Sequence, residues 1–497
     1  MENLFTLFLQ PELLLYLAGG LFFGMYAGAI PGISVTMAAS LAISFSFGWS
    51  PMPAIATILG VHIGGVYGGS RSAILLNVPG TPAAIATSFD GYPMAKKGEA
   101  GHALTVTAVQ SVVGGLIGAL VLVLATPLLI KFALLFAPRD YFMLAMLGIF
   151  LLSSLTGDSF VKGMFCGVLG MFLGCVGMDT MTAVNRFTFG NVNLMSGITS
   201  IAIMIGTFGM SESLFQVRDL RNVTVRKQKL DRMRPSIKEV VKYFPLTLRC
   251  SLIGAFVGAL PGTGGDIAAI ICYDHAKRSV KHPEVPFGEG AIEGLVAPES
   301  ANNAAVGGAY VPMLALGIPG DSVAAIIISA LLIHGITPGP TLVNSQPQMF
   351  YMIIACIIVG NIILLPVALT GIKVFAKIAE TPKEILLPII IVLTVIGSYA
   401  ANNNVFDVYV MVIAGILGYF LKRHDFPVGP IILGFILSNL LELNLRRTIA
   451  MCYGSVSELF GQIFTSPLSI VLFLILAGML AMQTPLKQVL KRKEKAD

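Results

Sequence analysis

The sequence predicts an all-α polytopic membrane protein, with roughly 10–14 transmembrane or re-entrant helices in two inverted-topology repeats whose helices break at Pro-Gly pairs. Three observations carry that expectation. Charged residues are 12% of the 497 residues and hydrophobic ones 55%, whereas a soluble globular chain carries roughly 25% charged residues. Apolar runs of about 18 residues or more, the length that spans a bilayer, recur along the whole chain, among them 12–30, 103–125 and 349–369. Finally, G-x-x-x-G-A-[I/L]-P-G closes an apolar stretch twice, at 24–32 and at 254–262.

The elements follow from hydropathy and charge. The N-terminal "MENLFTLFLQPE" lacks the basic region of a cleavable signal peptide, so the first span is expected to stay in the protein. Lys and Arg gather on the cytoplasmic side of membranes, which puts the basic stretch 217–243 and the tail 487–497 inside. Counting back from that stretch, spans are expected near 197–215, 160–178, 141–156 and 102–126, and 94–102 with its two lysines falls inside. Counting back from the tail, spans are expected near 467–484, 427–443, 405–421, 385–400 and 348–370. The uncharged 337–348 then lies outside, and so does the N-terminus. The expected division is a first transport half at 1–216, a basic cytoplasmic linker at 217–245, a second half at 246–486 and a basic cytoplasmic tail at 487–497. The six cysteines show no CxxC spacing and read as small buried hydrophobes.

The two halves repeat a pattern. After the first Pro-Gly comes Gly-Gly-x-Tyr ("GGVY" at 64–67, "GGAY" at 307–310), then a second Pro-Gly ("NVPGTP" at 77–82, "GIPGDS" at 317–322). A further glycine turn is expected in each, at "FDGYP" (89–93) and "IHGITP" (333–338). The first copy ends inside and the second begins there, which is the inverted arrangement of many secondary transporters.

A Pro-Gly break at membrane depth frees backbone groups, each of which costs several kcal/mol unless satisfied. The breaks at Pro31, Gly32, Pro261 and Gly262, together with those at Pro79, Gly80, Pro319 and Gly320, therefore call for partners. A half-helix starting after Pro-Gly offers N–H groups and a positive dipole end to an anion; the carbonyls at the other broken end suit a cation. Beside the breaks stand Ser70, Arg71, Ser72, Asn77 and Thr81 in the first half, and Asp266, Glu299, Asn302, Asn303, Asp321 and Ser322 in the second. Arg71 reads as a carboxylate fork or as a structural arginine paired with an acidic neighbour. Asn302 and Asn303 read as cation ligands or as helix caps beside Pro298. His62 and His334 read as hydrogen-bonded structural residues, with a proton relay as the second reading. An organic anion and a coupling cation, sodium or a proton, are the expected cargo; Glu299, Asp266, Asn303 and Asp321 are the ion-coupling candidates, and the spacing names no sodium ligand set.

Enzyme signatures are missing: there is no HExxH, no G-x-S-x-G and no GxxxxGK[ST]. No cofactor and no nucleic-acid partner are expected. A channel remains an alternative, since broken helices also build pores, although repeated rings of like charge are absent.

Residues 68–104 ("GGSRSAILLNVPGTPAAIATSFDGYPMAKKGEAGHAL") and 294–342 ("GLVAPESANNAAVGGAYVPMLALGIPGDSVAAI" and onward) resemble the two signature regions of the large membrane subunit of tripartite tricarboxylate transporters, the TctA family. The resemblance covers about Leu13 to beyond Pro430 and is weakest at 217–243 and in the tail. It implies a bacterial inner-membrane carrier of di- and tricarboxylates such as citrate, or related acids, driven by a sodium or proton gradient. It also implies two partners, a periplasmic solute-binding protein and a small membrane subunit; a carrier that needs no binding protein is the other alternative. The same resemblance maps substrate and ion contacts onto Asn77, Pro79, Gly80 and Thr81, and onto Glu299, Asn302, Asn303, Pro319, Gly320 and Asp321. Ser70 and Arg71 join the substrate candidates from the residue reading alone.

Overall fold

The computed structural model describes residues 10–30, 33–46, 48–155, 159–179, 181–217, 236–371, 383–452, 458, 461–462, 464 and 466–483. The breaks at Pro31 and Gly32, most of the 217–245 linker and the 487–497 tail lie outside the described residues.

Apolar composition gives long helices in the places expected. In chain order they are α1 (Pro11–Ala29), α2 (Val35–Ser46), α3 (Pro51–Leu76), α4 (Ala84–Lys96), α5 (Ala100–Ala133), α6 (Pro138–Leu155) and α7 (Phe160–Gly174). A two-stranded antiparallel ribbon pairs Gly177 with Arg186 and Met178 with Asn185, a small addition to an otherwise helical chain. Then come α8 (Ser200–Val217), with a π-helical stretch at Ile205–Met210, α9 (Ile237–Ala259), α10 (Gly264–Ser279), α11 (Glu293–Leu316) and α12 (Ser322–Ile333). The series ends with α13 (Pro347–Thr370), α14 (Lys383–Asn402), α15 (Val405–Arg423), α16 (Gly429–Met451) and α17 (Pro467–Gln483). Among the described residues, 7 helices are long and apolar enough to cross a membrane, and shorter apolar ones such as α2 and α12 accompany them. The protein is an all-α, multi-pass membrane protein. On α5, Leu120, Leu124, Leu128 and Phe132 form one exposed apolar face, the face that lipid covers.

The chain divides into two compact units, one of residues 1–130 and 201–420 and the other of 131–200 and 421–497. Each unit takes segments from both expected halves, and α9 begins at Ile237.

The first unit holds two segments with one order of elements, α1 to α5 and α9 to α13. In both, the opening helix presses its backbone against the third helix through small residues, as membrane helices do when dispersion and weak hydrogen bonds replace the hydrophobic drive. A Cβ on Gly24 would lie 2.2 Å from the Val61 carbonyl oxygen, and one on Gly254 would lie 2.2 Å from that of Ala301. Gly80 abuts the Gly28 carbonyl as Gly320 abuts the Gly258 carbonyl. The C-cap of α3 is Asn77, with φ 57°, and that of α11 is Gly317, with φ 73°. The "FDGYP" stretch departs from expectation: it lies inside α4, not in a turn. Gly91 serves contact there, since a Cβ would meet Ile74 at 2.6 Å. "IHGITP" does turn, at Gly335 with φ 72°.

All 24 residues of α11 are buried, so this helix is the axis of the unit, roughly 36 Å long at 1.5 Å per residue. Near its end, the starts of α1 and α3, Ile336 and Gln346 line a cavity of about 410 Å³ that includes Glu12 and Ser50. Beyond its start, the Asp90 carboxylate accepts the Gly288, Gly290 and Ala291 amides at 2.8, 2.9 and 2.8 Å and the Tyr273 hydroxyl at 2.9 Å. Lys97 there reaches the Glu289 carbonyl at 2.8 Å.

In the second unit α16 packs on α6 and α7, and α17 on α6. Arg446 joins Asp179 at 2.5 Å and Glu442 at 2.7 Å, and Glu442 also holds Arg186. The Met181 amide, followed by the Thr182 hydroxyl and the Arg446 guanidinium, holds the Asp179 carboxyl well below the usual range.

Close helix contact sets a test. Gly24→Val forces α1 off α3 and lowers the thermal midpoint of the purified protein, at a cost of about 1–3 kcal/mol. Gly19→Ala, in the same helix with nothing within 4 Å of its Cβ position, leaves the midpoint unchanged.

Candidate functional site at the broken helices

The tips of the half-helices gather polar groups from both segments of the first unit. Asp266 stands in the first turn of α10 and accepts the Ala83 amide, at the start of α4, at 3.1 Å. Its side chain is exposed. Asp321 is the N-cap of α12 and accepts the Ala324 amide at 2.7 Å. Its other carboxylate oxygen lies 3.3 Å from Nε2 of His62 on α3. Nδ1 of His62 lies 2.8 Å from the hydroxyl of Tyr310 on α11. The carboxylate assigns the proton to Nε2, so in the neutral ring Nδ1 accepts from Tyr310. His62, Asp321 and Asp266 lie within electrostatic reach of one another.

The sequence reading expects free N–H groups at these tips, whereas the Ala83, Ala324 and Met37 amides are bonded. Asp266 and Asp321 occupy the anion positions at α4 and α12, and the Ser34 hydroxyl accepts the Met37 amide at the start of α2. The reason is the cost of an unmet donor away from water: the chain supplies its own anions.

Asn302 and Asn303 lie inside α11, which begins at Glu293, so neither caps a helix at Pro298. Their roles diverge because adjacent residues on a helix face about 100° apart. Asn302 reaches across to the Val66 carbonyl on α3 at 3.4 Å, while Asn303 bonds the Glu299 carbonyl of its own helix at 3.1 Å. The Thr81 hydroxyl is buried, has no hydrogen-bond partner among the described residues, and faces Gly69, where a Cβ would lie 2.3 Å away. Arg71 is buried; it donates to the Ala368 carbonyl at 2.6 Å and lies 5.1 Å over the Tyr67 ring. Asn77 caps α3 in the left-handed conformation with an exposed side chain. Pro319 and Gly320 are buried, and Gly320 carbonyl accepts the Gly262 amide, beside Pro261, at 2.7 Å. Ser70, by contrast, turns away from the tips to Glu299, which also accepts from Thr87 and Ser111.

His62 is hydrogen-bonded as the sequence reading has it, while that reading does not name Tyr310, Thr87 or Ser111. The Gly-Gly-x-Tyr repeat held the one signal for Tyr310; nothing in the pattern marks a single hydroxyl on a long apolar helix. Among the described residues no group of three or more His, Cys, Asp or Glu is placed to hold a metal ion.

A family model, the Tripartite tricarboxylate transporter TctA family, matches residues 14–433, which span both broken segments and both signature stretches. The chain belongs to the TctA family. It is thus a component of a tripartite tricarboxylate transporter, a class that works with partner subunits. Two relatives come from Agrobacterium vitis. The uncharacterized 52.8 kDa protein in the TAR-I ttuC' 3' region is 39% identical over 446 residues, 90% of this chain and 89% of the relative. An uncharacterized protein in the TAR-II ttuC' 3' region is 43% identical over 204 residues, 41% of this chain and 84% of that relative. No solved structure matches this TctA-family chain.

The cap at α12 separates charge from structure. Asp321→Asn keeps a good capping oxygen and leaves the melting midpoint near that of the parent, while Asp321→Ala costs about 1 kcal/mol and lowers it. Differential scanning fluorimetry of the purified chain reads both.

Proposed function

We propose that this chain is the substrate-translocating subunit of a secondary active importer of organic acids, di- or tricarboxylates such as citrate, in the bacterial inner membrane. It is a carrier and not an enzyme. A periplasmic solute-binding protein delivers the acid, a small membrane subunit completes the assembly, and a sodium or proton gradient drives uptake. The first and second segments are inverted-topology repeats, with the N-terminus outside and the C-terminal tail inside. The cavity lined by Glu12 and Gln346 then opens outward, because 337–348 belongs to that side, and the Lys97 and Asp90 cluster faces the cytoplasm.

The observation that carries this reading is the meeting of tips from both segments, where Asp266 and Asp321 sit on the first-turn amides of α4 and α12 beside His62. A substrate carboxylate fits where these carboxylates now sit. Its arrival displaces them from the amides, and two displaced aspartates beside an anion repel it unless positive charge enters too. His62 and a co-transported cation supply that charge. Thr81, with an unused hydroxyl, and Asn302 are the neutral contacts. Coupling follows: acid without cation is rejected electrostatically. Arg71, held by the Ala368 carbonyl and Tyr67, supports this region as a positioning residue.

Uptake of radiolabelled citrate and a panel of organic acids into proteoliposomes tests this. The vesicles hold this chain with its small subunit, with and without the binding protein, under imposed sodium or proton gradients. Gradient-driven uptake that needs the binding protein is expected. His62→Gln lowers it roughly tenfold or more, as loss of a buried polar partner does. Asn77→Gly, which keeps the left-handed cap, leaves it unchanged. Uptake indifferent to gradient and binding protein would replace the carrier with a channel, and gradient-driven uptake without the binding protein would leave a stand-alone carrier.

A further inference from the structure

Glu299 is a deeply buried carboxylate that the tip chemistry does not use. It sits on α11 with 1% of its surface exposed. Three hydroxyls donate to it from three other helices: Ser70 of α3, Thr87 of α4 at 2.5 Å and Ser111 of α5 at 2.9 Å. Ser70 and Thr87 share Oε1, and Ser111 takes Oε2. A carboxylate that accepts two donors on one oxygen and a third on the other is solvated as the ionised form. Serine and threonine hydroxyls accept as well as donate, so a cation at these oxygens is what selects the ionised form over the acid.

The ionised form lacks a counter-charge. Among the described residues, no Lys, Arg or His lies within ion-pair distance of Glu299. Arg71, next to Ser70, turns to the Ala368 carbonyl and the Tyr67 ring. Isolated carboxylates in a dry interior are costly even when hydrogen-bonded, and the cost falls only when a cation joins them. Each of the three hydroxyls keeps a lone pair after donating. Carboxylate and hydroxyl oxygens are hard ligands, the kind that bind alkali and alkaline-earth ions and not soft metals.

We infer that the Glu299 carboxylate with the Ser70, Thr87 and Ser111 hydroxyls forms a sodium site, separate from the substrate position at the helix tips. This deepens the proposed function and rests on it only for the use to which the ion is put. A route for coupling is built in. Ser70 follows Gly69, whose carbonyl accepts the Gly80 amide at 3.3 Å and the Ser72 hydroxyl at 3.1 Å. Thr87 lies one turn beyond Ala83, whose amide Asp266 holds. An ion drawing Ser70 and Thr87 onto Glu299 thereby fixes the start of α4 against the end of α3, which is the break that substrate must meet.

Direct binding of ²²Na⁺ to the purified full-length chain, with no substrate and no partner subunit, tests the site. Saturable binding is expected that excess unlabelled sodium displaces and potassium does not. Glu299→Gln abolishes it. Thr87→Val, which keeps the shape and removes the oxygen, weakens it roughly tenfold, and Thr87→Ser restores it. Melting curves provide the fold control: sodium chloride, not potassium chloride, raises the midpoint of the parent protein and of Thr87→Ser, and shifts that of folded Thr87→Val much less. Parent-like sodium binding by Glu299→Gln or by Thr87→Val overturns the site. So does absence of sodium binding in a parent protein that drives uptake with protons alone. Failure of the transport reading would instead show in the uptake experiment, with sodium binding intact.

Discussion

A helix broken inside a membrane must find partners for every amide and carbonyl that the break releases, and much of this structure follows from that requirement. Water is not at hand to meet these groups, so the protein meets them from within. Gly80 and Gly262 use backbone carbonyls of neighbouring turns, and Asp321 caps its own helix. Asp266 crosses from the second segment to cap a helix of the first. The packing of α1 on α3 and of α9 on α11 serves the same end. Glycines at the contact bring the backbones close together.

Capping by a charged side chain, where a neutral hydroxyl would suffice, ties stability to electrostatics. A carboxylate at an amide-rich tip is stabilising, and the same property makes it a competitor for any other anion. The tips are thus occupied by the chain's own carboxylates. His62 tempers this at one tip only, because it is paired with Asp321. The two tips are therefore unequal, although the helices that bear them follow the same plan. Asp266, exposed, and Asp321, half-buried beside His62, differ in how readily solvent and ions reach them.

Much of the fold could be read from the sequence because hydropathy runs and Pro-Gly pairs are local. The expected spans near 102–126, 348–370 and 405–421 correspond to Ala100–Ala133, Pro347–Thr370 and Val405–Arg423. "FDGYP" misled because Gly and Pro were read as turn formers, while Gly91 is there to admit Ile74 and Pro93 is tolerated within α4. The site was legible in part. Asp266, Asp321 and Thr81 do collect at the tips. Asn77 has a structural reason of its own: its position demands a left-handed backbone, for which Asn and Gly are the usual residues. The partners of Glu299 were invisible because three helices each contribute one hydroxyl, and no spacing along a single helix records a contact made between helices.

Asp90 also bears on how the protein can move. Its carboxylate gathers three consecutive-loop amides and a tyrosine hydroxyl, so α4 of the first segment and the 288–291 loop of the second are fastened together by four hydrogen bonds. Separating them strands a buried carboxylate, whereas carrying them as one piece strands nothing. This fastening makes α4 and the 288–291 loop one mechanical piece, a rivet through the two segments at that end of α11.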